Sequence, residues 1–236
     1  MIIFDSSNSS LKTQMPAKAI SITSHVSPWL AQLVYPLGCY IVLPFYFRSI
    51  EVIGNENIPR EGPVILAPTH RSRWDSQLLP YSTGRYATGR DLRFMVSVNE
   101  VKGLQGWFIR RLGGFPVDPK HPAISTLRHG VEILCDKQML VIFPEGAIYQ
   151  DNQVHPLKVG LARLAIQAES NHPDLGVKIV PMSIRYHPCI PCWRSTVKIT
   201  IGTPLSAGNY LTGSGKKDAQ TLTDDLEIAL NKIDRD

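Results

Sequence analysis

From Ile50 to the C-terminus, short uncharged apolar runs alternate with longer stretches whose apolar residues recur at three- and four-residue spacing. A strand buried on both faces reads as a continuous apolar run, whereas a helix lying on a sheet needs only one apolar stripe. Strands that alternate with helices favour parallel neighbours, because a parallel pair must be joined by a crossover. The expected fold is therefore α/β, a mostly parallel mixed sheet flanked by helices. Strands are expected at 64–67, 94–98, 115–117, 139–143, 178–186 and 196–201, and helices at 76–81, 103–112, 123–137 and 159–170. The last 20 residues read as a charged amphipathic helix with Leu222, Leu226, Leu230 and Ile233 facing inward. Pro181 interrupts its strand, which predicts an edge or a bulge there.

Trp29 to Phe47 reads WLAQLVYPLGCYIVLPFYF, with no charged residue. As one helix it would be roughly 28 Å long, close to the thickness of a bilayer's hydrocarbon core. Pro36 and Pro44 should each kink or break such a helix. Trp29, Tyr35, Tyr40 and Tyr46 suit a membrane interface, where a ring is buried and its polar tip stays wet. The segment reads as a membrane-inserted or interfacial hairpin. A full span and a helix buried against the domain remain open. Residues 1–49 thus divide into a flexible Ser-rich leader and an apolar, membrane-associating helical segment, followed by one domain over 50–236.

Composition narrows the functional classes. With 43% hydrophobic and 19% charged residues the chain carries a packed core and is not disordered. Its net charge of +5 suits an anionic membrane, a phosphorylated substrate or coenzyme A. No long Lys/Arg run or recognition motif points to nucleic acid. Cys39, Cys135, Cys189 and Cys192 form no disulfide framework, and a reducing compartment is the default. Cys189-Ile190-Pro191-Cys192 with His187 offers three donors, one short of a structural zinc site, so no metal is expected.

The strongest local feature is Pro68-Thr69-His70-Arg71-Ser72-Arg73-Trp74-Asp75. The histidine follows a strand, and the aspartate falls where a helix should begin. Ligands gather at the ends of strands in α/β sheets. A carboxylate folded back on one imidazole nitrogen fixes the tautomer and leaves the other nitrogen free to take a proton. An N-cap role for Asp75 is the plainer alternative. In Val141-Ile142-Phe143-Pro144-Glu145-Gly146 a buried strand ends at a proline, a carboxylate and a glycine. Parallel strands would bring Glu145 to the same sheet edge as His70; otherwise it is a solvated turn residue. Arg110 and Arg111 precede the Gly113-Gly114 turn, a pattern suited to a phosphate.

Together these pieces resemble the glycerol-phosphate acyltransferase superfamily that contains 1-acyl-glycerol-3-phosphate acyltransferases of the PlsC type. His70 and Asp75 match its His-x4-Asp motif, and Gly113 to Asp118 its glycine-rich turn. Phe143 to Gly146 match its Phe-Pro-Glu-Gly motif, and Val180-Pro181 its Val-Pro strand. Lys158 and Gly160 resemble its Lys-x-Gly. The resemblance implies direct acyl transfer from acyl-CoA or acyl-carrier protein to a lipid hydroxyl, with His70 as base and Asp75 as its orienter. It places Glu145 and Gly146 in the acceptor site, on the cytoplasmic face of a membrane, with no cofactor beyond the thioester co-substrate. Two departures stand out. Thr69 replaces an Asn, and Ala147-Ile148-Tyr149 replaces a Thr-Arg-Ser whose arginine is linked to the acceptor phosphate. Arg71 and Arg73 are extra cations that could take over that contact. The alternatives are a non-phosphorylated lipid alcohol or quinol as acceptor, or a non-catalytic lipid-binding protein on the same scaffold.

Overall fold

The computed structural model describes residues 24–118 and 123–235, so the leader read from residues 1–25 lies almost wholly outside it. The chain enters on a helix, α1, Pro28–Tyr46, and then β1, Ser49–Ile53. Next come β2, Val64–Pro68, α2, Asp75–Thr83, and β3, Leu92–Ser97. They are followed by α3, Gly103–Arg111, β4, Gly114–Val117, α4, Ile124–Cys135, and β5, Met139–Val141. The last elements are α5, Gly160–Asn171, β6, Lys178–His187, β7, Thr196–Ile201, β8, Leu205–Ser206, and α6, Gly215–Arg235.

The strands form one sheet in the order β1-β7-β6-β2-β5-β3-β4, with β8 on the flank of β6. The block β6-β2-β5-β3-β4 is parallel. β7 and β8 run antiparallel to β6, and β1 runs parallel to β7. The mixed, mostly parallel sheet is the one the alternation predicts. Along β2 the side chains divide strictly. Ile65 and Ala67 join the core under α4, α5 and α6, with Leu134, Leu164 and Leu226. Val64 and Leu66 face the opposite core, built with Leu43 and Phe47 of the N-terminal region and with Leu78 and Leu79 of α2. Burial on both faces is why this strand is apolar without a break.

Two expectations from proline need correction. Pro181 sits in a central strand and makes neither an edge nor a bulge. Its flank faces β8 as far as Ile179 and β7 only from Met182 onward. The missing N–H therefore falls in the gap between two partners. Pro36 and Pro44 do not fold the N-terminal segment into a hairpin, since Pro28–Tyr46 is one continuous helix. Its middle, Leu37–Val42, is wound as a π-helix, and Leu43 N–H donates to Gly38 O, five residues back. That shift of register absorbs the donors the prolines lack.

α1 has two apolar faces. Ala31, Tyr35, Cys39 and Leu43 are buried on the domain, and Phe47 just past the helix end continues the series. Trp29, Leu33, Leu37, Ile41 and Phe45 are exposed. The strand β1 is an edge strand whose residues alternate in burial, and its pattern was too short to read beforehand.

Leu66, fully buried at the middle of the sheet, tests this packing. Leu66→Ala should lower unfolding free energy by about 2–5 kcal/mol, the usual cost of such a cavity. Urea denaturation followed by circular dichroism measures it, and a change below ~0.5 kcal/mol would contradict the described core.

Candidate active site

β2 ends at Pro68, and β5 ends at Val141, on the same edge of the sheet. The loops that leave them meet. His70 Nδ1 lies 2.8 Å from Asp75 Oδ2. Asp75 is fully buried at the first turn of α2, whereas the imidazole keeps 19% of its surface open. The same Oδ2 accepts the backbone N–H groups of Arg71, at 2.7 Å, and Ser72, at 2.9 Å. Oδ1 accepts the Tyr186 hydroxyl at 2.6 Å. An acceptor bonded to Nδ1 leaves the proton on that nitrogen and the lone pair on Nε2. Among the described residues nothing bonds Nε2. Phe143 stacks on the imidazole with ring centroids 3.8 Å apart, which fixes the ring plane. Thr69 anchors the loop: its N–H donates to Met182 O, and its hydroxyl accepts Ile184 N–H, both at 2.9 Å.

Glu145 is brought to His70, yet its carboxylate points into the protein. Oε2 accepts His70 N–H at 2.8 Å, and Oε1 accepts His155 N–H at 2.9 Å. Both oxygens bond Arg71 Nη1, at 2.8 and 3.0 Å. Arg71 Nη2 donates to Gln153 O at 2.6 Å. Tyr149 N–H donates to His70 O at 2.9 Å, and the Tyr149 ring stacks on His155 at 3.7 Å. His155 Nε2 pairs with Asp151 at 2.9 Å, and that bond holds the Asp151 carboxyl below its ordinary range. The loop after β5 is thus tied to the histidine at several points.

The expected substrate cations scatter. Arg71 is only 1% exposed and its charge is taken by Glu145, so as placed it offers nothing to a phosphate. Arg73 is on the surface and pairs with Glu100 at 3.1 Å. Arg111 lies over the Trp107 ring at 4.2 Å, and Arg110 reaches Val101 O at 3.3 Å. The turn that follows them starts β4, three strands from β2, with Gly114 level with Leu66 rather than with His70. Sheet spacing alone separates them laterally by roughly 14 Å. Both glycines have a packing reason. A side chain at Gly113 would meet Leu92 O at 2.4 Å, and one at Gly114 would meet Ile109 at 2.4 Å. Lys158 is exposed and without an ion pair among the described residues. Its side chain lies against Gly146, where φ is +71° and an added Cβ would come within 2.7 Å of Nζ. Ile148 is 40% exposed. Among the described residues no cluster of metal-ligating side chains occurs.

Tyr186 and the Tyr149–His155 stack carry no motif in the sequence. Tyr186 is 111 positions from Asp75 and reaches it only because β6 lies beside β2. Burial first, and then the Asp75 carboxylate, push its phenol far above the ordinary range, so it stays a donor.

The architecture and the dyad define a class: α/β proteins that hold a histidine–carboxylate pair where parallel strands end. The sequence is more specific. Residues 49–185 match the Acyltransferase family model, and the chain belongs to that family. A 1-acyl-sn-glycerol-3-phosphate acyltransferase of Streptococcus pneumoniae is 21% identical over 195 residues, 81% of this chain and 66% of that one. Glycerol-3-phosphate O-acyltransferase 1 of Saccharomyces cerevisiae is 37% identical over 83 residues, which cover 34% of this chain and 11% of the yeast protein. The mitochondrial glycerol-3-phosphate acyltransferase 1 of Sus scrofa is 30% identical over 134 residues, covering 16% of its length. The chain therefore matches only a small part of the yeast and pig proteins. The crystal structure of the 1-acyl-sn-glycerophosphate acyltransferase PlsC from Thermotoga maritima shares the fold, with a TM-score of 0.60 and 22% identity over 84% of this chain and 78% of that one. These likenesses place the chain in the glycerol-phosphate/1-acyl-glycerol-3-phosphate acyltransferase superfamily.

The Arg71–Glu145 pair yields a stability test. Arg71→Met leaves a buried carboxylate without its cation and should cost about 3–5 kcal/mol. Adding Glu145→Gln should recover much of that loss, because no charge is then stranded. Chemical denaturation of both variants checks this; equal losses in the single and double variants would contradict the pairing.

Proposed function

We propose that this chain is an O-acyltransferase that moves a fatty acyl group from acyl-CoA or acyl-carrier protein onto the hydroxyl of a lysophospholipid, with 1-acyl-glycerol-3-phosphate as acceptor and phosphatidic acid as product. The observation that carries this reading is the 2.8 Å His70–Asp75 bond, with Nε2 left open at the sheet edge. Nε2 removes the acceptor's hydroxyl proton as the oxygen attacks the thioester carbonyl. The new C–O bond forms, the C–S bond breaks, and the departing thiolate collects the proton from the imidazolium. Asp75 orients the ring and stabilises the transient cation. Glu145 acts here as the anchor of the histidine loop, through His70 N–H and Arg71, rather than by touching the acceptor.

With Arg71 occupied, Lys158 beside Gly146 is the cation best placed for the acceptor's phosphate, and Arg73 is the second. Ile148, at the place where the family carries arginine, favours one other reading, acyl transfer to a non-phosphorylated lipid alcohol. We also assign α1 to the membrane. It is long and apolar enough to cross one, and its exposed Trp29, Leu33, Leu37, Ile41 and Phe45 form the face that would meet lipid. Attachment on the cytoplasmic face, where thioester donors are available, follows from the same reading.

His70→Ala should reduce turnover at least roughly a hundredfold while the protein stays folded, since general-base catalysis typically contributes that much. Near-normal activity in a folded variant would refute the mechanism. Lys158→Met should raise the lysophosphatidic acid KM by about ten- to a hundredfold, the equivalent of one charge-assisted contact, and leave a long-chain alcohol unaffected. Acylation of the alcohol alone would instead select the neutral acceptor. Replacing Leu33, Leu37 and Ile41 together by serine should release the protein from the membrane pellet to the supernatant without loss of fold. Unchanged pelleting would place the attachment elsewhere.

A further inference from the structure

The Asp75 carboxylate is held from two sides. His70, Arg71 N–H and Ser72 N–H, all from its own loop, approach Oδ2. Oδ1 has one partner among the described residues, the hydroxyl of Tyr186, at 2.6 Å. That hydroxyl comes from the far end of β6, and Tyr186 is only 2% exposed. The Ser72 hydroxyl also lies beside this phenol, and the carboxylate is the stronger acceptor of its proton. Its ring is backed by Phe47 at 6.0 Å, and Phe47 also packs on Trp74, the residue before Asp75, at 5.4 Å.

We infer that Tyr186 is a positioning residue that sets the basicity of His70 through Asp75, an assignment that rests on the proposed role of His70 as base. A carboxylate shared among several donors pulls less strongly on any one proton. Each donor on Asp75 therefore lowers the stabilisation that the carboxylate gives to the imidazolium. Tyr186 also stops the carboxylate from rotating, so that Oδ2 stays in line with Nδ1. The other titratable groups around this network are Arg71 and Glu145, which pair with each other, and Tyr46 beside Tyr186. None of these three side chains bonds Asp75, which leaves Tyr186 as the side chain that sets its charge opposite the imidazole.

The test is the titration of His70 by NMR in the intact chain, read from its ring protons, together with the pH profile of kcat. Tyr186→Phe removes the hydroxyl and keeps the ring. It should move the His70 titration and the acid limb of kcat to higher pH. It should also lower kcat roughly ten- to a hundredfold, as for loss of one hydrogen bond to a charged group, with the donor KM unchanged. Site-specific 3-fluorotyrosine at 186 has a more acidic phenol, donates more strongly and should move the titration to lower pH. Opposite shifts would not arise from a packing role. The assignment is overturned if the His70 titration stays in place in both variants, or if both move it the same way. Should Tyr186→Phe not fold, the fluorotyrosine protein decides alone, and an unmoved titration overturns the assignment. Opposite shifts in a protein that transfers no acyl group to any hydroxyl would uphold the Tyr186–Asp75–His70 coupling and reject the acyltransferase reading instead.

Discussion

Glu145 faces three donors inside the protein: the N–H of His70, the N–H of His155 and the guanidinium of Arg71. A carboxylate out of water is costly unless it is paired and hydrogen-bonded, and moving any one partner away strands the rest. Such a pair contributes little net stability against an apolar replacement. What it does here is reject alternatives. The loop after β5 cannot slide along the loop after β2 without breaking several charged contacts at once. Because Arg71 also holds Gln153 O, the constraint runs from the end of one strand to the approach of α5.

The second buried carboxylate, Asp75, has a different task although its setting is similar. Glu145 faces two backbone N–H groups and a guanidinium. Asp75 faces an imidazole, which can gain or lose a proton, and a phenol. The two carboxylates thus sit on separate loops, Asp75 seven positions after β2 stops at Pro68 and Glu145 four after β5 stops at Val141. Two neighbouring residues are common to both: His70, through its backbone to Glu145 and its ring to Asp75, and Arg71, through its backbone to Asp75 and its guanidinium to Glu145.

Most of this fold was legible because its physics is periodic. Runs buried on both faces gave β2, β5 and β6, and the 3.6-residue stripe gave α4, α5 and α6. The site was legible only where its members are close in the chain or sit at strand ends. His70 and Asp75 are five positions apart, and Glu145 follows a strand that had to be parallel to β2. The pairing of Arg71 with Glu145 was not legible, because a sequence shows a charge and not where that charge is neutralised. Tyr186 was invisible for a topological reason: its contact with Asp75 depends on the adjacency of β6 and β2, which no local pattern encodes. Gly113 and Gly114 have a packing reason that the sequence does not show. A glycine pair after two arginines suggests a ligand, yet close approach of Leu92 and Ile109 already requires both residues to lack a side chain.

The winding of α1 has a geometric consequence. Buried positions 31, 35, 39 and 43 are spaced by four, and so are 29, 33, 37, 41 and 45 among its exposed ones. At 3.6 residues per turn, a four-residue step advances by about 40° beyond a full circle, so both sets would spiral around a regular helix. The wider π turn at Leu37–Val42 takes back part of that advance. The outward row therefore runs closer to the helix axis than it would on a regular helix. Such a row can present its apolar side chains to a flat surface over more of its length than a screw of the same residues could.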